Sequence, residues 1–105
     1  MCENCLFCKI INGEIPCTKV YEDNTVLAFL DIKPVNPGHT LVIPKKHCEN
    51  LLDCKEQQMN AVMQVVQKLS NERISEGAAG VKIVCNNGSA SGQIIFHLHF
   101  HVIPF

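Results

Sequence analysis

The chain has 105 residues, of which 47% are hydrophobic and 18% charged, and its formal net charge at pH 7 is −1. This composition predicts one small globular domain over residues 1–105 and excludes a largely disordered chain. The near-neutral charge argues against long nucleic acid or an anionic membrane as a partner, but a local site can still bind a small anion. The N-terminal segment has no signal-peptide pattern, and no stretch reaches the roughly 20 apolar residues of a membrane span, so we expect a cytoplasmic protein.

The elements predicted from the sequence are a short helix over residues 5–11, a long helix in the middle and five strands. The strands are predicted at residues 17–23, 25–32, 40–44, 80–86 and 94–104. The second strand, TVLAFLDI, is rich in apolar residues and is therefore expected to be buried on both faces. The order of these elements favours an α+β fold, in which an antiparallel sheet carries the long helix on one face.

The long helix has a start signal, an apolar stripe and a stop signal. Asp53 followed by Glu56 predicts a side-chain cap with its reciprocal partner, and Glu76-Gly77 predicts the end. Between them an apolar residue recurs at helical spacing, which predicts one buried face. The residues of this predicted stripe are Met59, Val62, Met63, Val66 and Leu69.

The segment HLHFHVI, residues 97–103, alternates histidines with apolar residues. In a strand the three histidines share one face, while the apolar residues between them pack on the core. Neighbouring histidines then lie roughly 6.6 Å apart and the outer pair about 13 Å. Three such rings cannot easily reach one tetrahedral zinc with bonds of about 2.0 Å. The pattern instead favours a row of neutral imidazoles that act as nucleophile, donor or proton carrier; the alternative is a solvated strand face.

The loop NNGSASGQ, residues 86–93, comes directly before the predicted histidine strand. It is rich in backbone N–H groups, hydroxyls and amides, and such loops can bind a phosphate through backbone donors. A plain turn explains a glycine-bearing loop equally well. The loop is therefore a candidate phosphate site only because three histidines follow it.

The seven cysteines are an odd number without a secretion signal, which predicts reduced thiols and no disulfide framework. Cys2, Cys5 and Cys8 form C-x-x-C-x-x-C, and a C-x-x-C pair can supply two zinc thiolates if two further ligands are present. His47 and His97 are candidates for those ligands. The alternatives are a redox pair and buried thiols that only pack.

Three segments together resemble the histidine-triad (HIT) nucleotide-binding proteins, in the bacterial-like form of their Hint-type branch. They are FCKIINGEIP, LAFLDIKPVNPGHTLVIPKKH and GQIIFHLHFHVIP, and the resemblance extends over nearly the whole chain. It implies the HIT fold, with a five-stranded antiparallel sheet, one long helix and a short N-terminal helix. It also implies a homodimer in which two sheets join into a larger one.

The resemblance implies a hydrolase that cleaves purine nucleoside phosphoramidates or related nucleotides at the α-phosphate and releases the nucleoside monophosphate. His99 would be the nucleophile that becomes nucleotidylated, and His101 would donate a hydrogen bond to the phosphate oxygens. Asp31 would bind the ribose. The phosphate pocket would include Asn86, Gly92 and Gln93, and the walls of the base pocket would include Phe7, Leu27, Phe29 and Ile32.

The resemblance also implies a structural zinc, and no catalytic metal, held by Cys5, Cys8, His47 and His97; Cys2 and Cys48 are possible substitutes. One departure is Ile94, where some Hint proteins carry a serine near the phosphate, so the leaving-group preference stays open. Three alternatives are considered. They are a dinucleoside polyphosphate hydrolase, a non-catalytic nucleotide-binding scaffold, and a cupin-like dioxygenase, which the absence of a suitably spaced glutamate disfavours.

Overall fold

The structure is a computed structural model and describes residues 4–105. Within these residues two helices and five strands follow one another, with a 3-10 turn at Ser89–Ser91 before the last strand. In chain order the elements are α1 (Leu6–Ile11), β1 (Lys19–Glu22), β2 (Val26–Leu30), β3 (Thr40–Pro44), α2 (Glu56–Ser75), β4 (Val81–Val84) and β5 (Phe100–Pro104).

The five strands form one antiparallel sheet in the order β1-β2-β3-β5-β4. The last strand in sequence therefore lies between β3 and β4, and Leu41 of β3 is paired with His101 of β5. This register places one histidine of the row inside the sheet. The predicted α+β fold, with five antiparallel strands, one long helix and one short helix, is confirmed.

Each face of the sheet is covered by one helix. Val62, Val66 and Leu69 of α2 pack on one face in a cluster that includes Val42 and Phe100. The other face carries α1, whose Phe7 and Ile10 pack with residues of β2 and β3; these are Leu27, Phe29, Leu41 and Ile43. Residues 26–29 of β2 are all buried, which confirms that this strand is buried on both faces.

The start of α2 differs from the prediction. Its N-cap is Lys55, which has no side-chain cap hydrogen bond. The Asp53 carboxylate instead accepts hydrogen bonds from the backbone N–H groups of Glu49 and Asn50, at 3.1 and 3.0 Å. A preceding turn therefore uses the carboxylate that was predicted to cap the helix, so the prediction of an Asp53–Glu56 cap is wrong.

The buried stripe of α2 is displaced by part of a turn from the predicted one. Val65 is 4% exposed and belongs to the core, whereas Met63 is 38% exposed. Met59 is partly buried against the same core. The helix ends where predicted, with Glu76 as its C-cap and Gly77 at a φ of 114°.

The last strand begins at Phe100 and not at residue 94. Before it, Leu98 donates its backbone N–H to the carbonyl of Cys48 at 2.8 Å, outside the sheet ladder. The alternation of faces survives, because Leu98 and Phe100 pack in the α2 cluster while the rings of His97 and His99 contact Phe7 on the α1 side. No helix among residues 4–105 is long and apolar enough to cross a bilayer.

Candidate functional site

His99 lies in the centre of a row of imidazoles and is held in one tautomer by the backbone. Its Nδ1 lies 2.8 Å from the carbonyl oxygen of His97. A carbonyl only accepts, so the proton is on Nδ1 and the lone pair of the neutral ring is on Nε2. Burial lowers the pKa of His99, which favours this neutral form at pH 7. The residue therefore has the protonation state that a nitrogen nucleophile requires.

His101 is oriented by a residue that sequence reasoning missed, His39. The backbone N–H of Val35 donates to His39 Nδ1 at 3.1 Å, so the proton of a neutral His39 is on Nε2. That Nε2 lies 2.9 Å from His101 Nδ1 and donates to it. His101 then carries its own proton on Nε2, which is left as a donor. Burial, with the neighbouring His99 and His39, lowers the pKa of His101 to about 4, so the ring is neutral.

His39 is part of the site, although no local sequence pattern predicted that it would be. It is 3% exposed, and its Nε2 also lies 3.5 Å from an Asp31 carboxylate oxygen. It follows the loop KPVNPGH and lies 62 residues from His101 in sequence, so no local periodicity connects the two. Only the pairing of β3 with β5 brings them together.

The ligand atoms of Asp31, His39 and His101 lie within 4.8 Å of one another, which is close enough for one metal ion. A metal on His39 Nε2 would move the proton of this ring to Nδ1, where it would meet the N–H of Val35. The hydrogen bonds therefore favour a chain of donors and acceptors over a metal site at these residues.

Cys5, Cys8, His47 and His97 form a second group whose ligand atoms lie within 4.8 Å of one another. His97 Nδ1 lies 3.2 Å from His47 Nδ1 and 3.3 Å from Cys5 Sγ. Cys8 Sγ lies 3.5 Å from His47 Nδ1 and 3.6 Å from His97 Nδ1. Tetrahedral zinc, with bonds of about 2.0 Å to nitrogen and 2.3 Å to sulfur, separates two nitrogens by about 3.3 Å, a nitrogen and a sulfur by about 3.5 Å, and two sulfurs by about 3.8 Å. The observed distances therefore fit a tetrahedral Cys2His2 zinc site.

The hydrogen bonds of His97 also suit a metal ligand. Its Nε2 donates to the carbonyl of Pro44 at 2.8 Å, which leaves the lone pair on Nδ1, the atom that faces the cysteines. The residue is 0% exposed, and burial lowers its pKa to about 4, so the ring is neutral. A backbone carbonyl thus fixes the ring orientation, as is usual for metal-bound histidines.

The cysteines differ in their oxidation state. Cys5, Cys17, Cys48, Cys54 and Cys85 are free, as predicted. Cys8 is disulfide-bonded, so the prediction of reduced thiols is wrong for this residue, and metal binding requires Cys8 to be reduced to its thiolate. Cys48 packs in the α2 cluster and is not part of the metal-binding group, and burial raises its pKa. Cys2, the other possible substitute, lies outside the described residues.

The loop before the histidine row is braced by Gln93, which is 4% exposed. Its Oε1 accepts hydrogen bonds from the backbone N–H of Gly88 and the side chain of Asn50, at 2.8 and 3.2 Å. Its Nε2 donates to the carbonyls of Glu49 and Ile95, at 2.7 and 3.0 Å. The side-chain amide of Gln93, which was predicted to bind phosphate, therefore has both of its N–H donors bonded within the protein, and these bonds brace the loop.

Asn86 and Gly92, also predicted in the phosphate pocket, lie close together. A Cβ at Gly92 would lie 3.6 Å from Asn86 Nδ2, and the φ of Gly92 is 100°, a conformation that favours glycine. The predicted base-pocket residues divide into two groups. Phe7, Leu27 and Phe29 are buried in the α1 cluster, whereas Ile32 is 91% exposed, so only Ile32 offers a free apolar surface.

Comparisons with known proteins agree with this geometry. The HIT domain family matches residues 12–105. An adenylylsulfatase from Arabidopsis thaliana is 43% identical over 96% of this chain and 52% of the relative. An adenosine 5'-monophosphoramidase from Schizosaccharomyces pombe is 39% identical over 96% of this chain and 74% of the relative. The crystal structure of a Zn-bound histidine triad family protein from Mycobacterium smegmatis superposes with a TM-score of 0.92 and 39% identity, covering 96% of this chain and 74% of that one. The chain belongs to the HIT domain family.

Proposed function

We propose that this protein is a nucleotide hydrolase that cleaves purine nucleoside phosphoramidates or related nucleotides at the α-phosphate. Family membership and the two relatives support nucleotide hydrolysis, because both names describe enzymes that act on an adenosine monophosphate group joined to a leaving group. The observation that carries the proposal is His99, a buried neutral imidazole whose Nε2 lone pair is left free by the bond from Nδ1 to the His97 carbonyl.

The reaction proceeds in two displacements. His99 Nε2 attacks the α-phosphorus as the P–N bond to the leaving amine breaks, and the amine departs with a proton taken from solvent water. A water molecule then attacks the same phosphorus and gives up a proton to solvent, the bond from phosphorus to Nε2 breaks, and the nucleoside monophosphate is released. A neutral nitrogen approaches the anionic phosphate without charge repulsion, and the His97 carbonyl stabilises the cationic ring of the intermediate.

The neighbouring residues bind the phosphate and the ribose. His101 Nε2–H donates to a phosphate oxygen, because its Nδ1 is occupied by the bond from His39. Asn86 and the backbone around Gly92 complete the phosphate site. Asp31, which is partly exposed beside His39, accepts the ribose hydroxyls. The partners in this proposal are a purine nucleotide and, in a homodimer, a second copy of the chain.

A structural zinc at Cys5, Cys8, His47 and His97 is part of the proposal. The ligand distances support it, as does the zinc-bound relative. A zinc with four protein ligands has no open position for substrate, so its contribution is to join segments of the chain.

The variant His99→Ala tests the nucleophile. We expect loss of adenosine phosphoramidate hydrolysis with AMP binding largely retained, because only the attacking nitrogen is removed. The wild-type protein, quenched in acid during turnover, should carry a labelled adenylyl group that the variant lacks. Near-normal hydrolysis by the variant would contradict the assignment.

A second assay separates the alternatives. Parallel rates with an adenosine phosphoramidate and a diadenosine polyphosphate decide between the two hydrolase classes, and we expect the phosphoramidate to be cleaved faster. Tight AMP binding with no turnover of either substrate would favour a nucleotide-binding scaffold.

A further inference from the structure

We propose that the cluster formed by Cys5, Cys8, His47 and His97 positions the nucleophile, so that binding of a tetrahedral thiophilic ion such as Zn²⁺ is coupled to nucleotide binding and turnover. The inference rests on the proposed function of His99. It assigns His97 and Phe7 as positioning residues that connect the metal cluster to the reacting ring.

The first connection is the backbone of His97. The Nδ1 of this ring faces the cluster, and its Nε2 is fixed to the Pro44 carbonyl at the end of β3. The carbonyl of the same residue accepts the Nδ1–H of His99 at 2.8 Å. His97 precedes β5 and has no sheet ladder to hold it. The same peptide plane carries the Leu98 N–H, which donates to the carbonyl of Cys48, the residue after His47. This bond and the ring contacts of His97 together set where the carbonyl points, and the carbonyl determines which nitrogen of His99 is free.

The second connection is Phe7, which lies between the two cysteines of the cluster in helix α1. Its ring is 2% exposed and packs edge-on against His99, with centroids 5.2 Å apart, and against His97 at 5.9 Å. The helix has six residues and is too short to be stable alone. A metal held by Cys5 and Cys8 would fix this helix and, with it, the wall against which His99 rests.

Coupling of this kind is reciprocal. If the metal-loaded protein binds AMP more tightly than the metal-free protein by some factor, AMP must tighten metal binding by the same factor. Zn²⁺ affinity measured by chelator competition, with and without AMP, gives that factor independently of any turnover.

The variant Cys5→Ser separates the metal from the helix cap. Cys5 is the N-cap of α1, where its Sγ accepts the backbone N–H of Cys8 at 3.4 Å. Serine is a favourable N-cap and preserves this bond, but it removes a thiolate ligand. We expect weaker Zn²⁺ binding, a mixture of His99 tautomers in ¹⁵N-imidazole NMR spectra, and a kcat lowered by about 10- to 100-fold, since a displacement of about 1 Å can cost that much. The AMP affinity of the variant should fall by the same factor by which AMP tightens Zn²⁺ binding in the wild-type protein.

A matched pair of variants tests the Phe7 connection without removing a ligand. Phe7→Leu and Ile10→Val remove similar volumes from the same cluster on the same helix, but of the two side chains it is Phe7 that has an aromatic ring packed on the rings of His97 and His99. In the zinc-loaded protein we expect Phe7→Leu to lower kcat and to mix the His99 tautomers, whereas Ile10→Val should leave both unchanged. This pair decides the matter if Cys5→Ser does not fold.

Two outcomes would overturn the coupling. One is a folded, zinc-free Cys5→Ser protein with a single Nδ1–H tautomer of His99 and wild-type kcat. The other is equal behaviour of Phe7→Leu and Ile10→Val. Either result leaves the nucleophile assignment intact if His99→Ala is inactive, whereas an active His99→Ala protein rejects the proposed function whatever the metal does.

Discussion

At the scale of single residues, the site is defined by which nitrogen of each imidazole carries the proton. Backbone carbonyls accept from His97 and His99, and a backbone N–H donates to His39. Each of these bonds fixes one ring nitrogen and leaves the other for a separate task. Burial lowers the pKa of His97 and His99, so both rings are neutral at pH 7. Each ring therefore carries a single proton, on the nitrogen that its backbone hydrogen bond selects.

His39 is expected to act through His101. In His39→Ala the proton of His101 is no longer directed to Nε2, so the phosphate loses a donor and kcat should fall by about 10-fold or more, in line with the loss of one oriented donor. His39→Gln keeps an N–H near the position of Nε2 and should recover part of the rate. Steady-state hydrolysis of an adenosine phosphoramidate measures both variants. Equal rates for His39→Ala and the wild-type protein would exclude this role.

At the scale of elements, sequence periodicity predicted the faces correctly and some boundaries wrongly. The alternation in HLHFHVI placed Leu98 and Phe100 on one side and the histidines on the other, because side-chain direction follows residue spacing even where the chain leaves the ladder. The start of β5 was missed because Leu98 bonds to Cys48, a contact between distant segments. Asp53 was misassigned for a related reason, since a local turn competes with the helix for its carboxylate.

The residues of the candidate site were predictable to the same extent: local sequence patterns indicated some of them, and contacts between distant segments could not be predicted. A motif predicted His99 and its neighbours as site residues, and C-x-x-C with two histidines predicted the four residues whose possible ligand atoms lie within 4.8 Å of one another. His39 could not be found, because its partner lies 62 residues away and a single histidine in a loop has no pattern. The hydrogen bonds of the Gln93 side-chain amide could not be predicted either, because three of its partners precede the glutamine by between 5 and 44 residues.

The loop over residues 86–93 should depend on Gln93 for its conformation. Gln93→Glu keeps the shape of the side chain but replaces the donor to two carbonyls with an acceptor. We expect the free energy of unfolding to fall by at least about 2 kcal/mol, because a buried charge is left facing unpaired carbonyls. Gln64→Glu makes the same change at an exposed position of α2 and should alter stability by no more than about 0.5 kcal/mol. Urea denaturation measures both; equal losses would show that Gln93 does not brace the loop.

At the scale of the whole molecule, the group of four candidate zinc ligands lies between the segment around α1 and the ends of two paired strands. Cys5 and Cys8 belong to the segment around α1, His47 follows β3 and His97 precedes β5. A metal bound by these residues would therefore fix the short helix against the sheet face that also presents the histidine row. The α1 side has a smaller buried cluster than the α2 side, so it gains more from an added cross-link.

Zinc should therefore stabilise the whole fold, by an amount that rises with the logarithm of its free concentration above Kd. Binding to the native state adds about 1.4 kcal/mol for each tenfold rise in free Zn²⁺ above Kd. In a domain of this size, with an unfolding entropy of about 2.1 cal/mol/K per residue, that raises Tm by about 6 °C. Calorimetry of reduced protein in zinc buffers should show this slope for the wild type and for Cys17→Ser, whose thiol lies outside the cluster. Cys5→Ser should show a much smaller slope. A wild-type Tm that does not change with zinc would mean that the four ligands hold no metal in the native state, however well their distances fit.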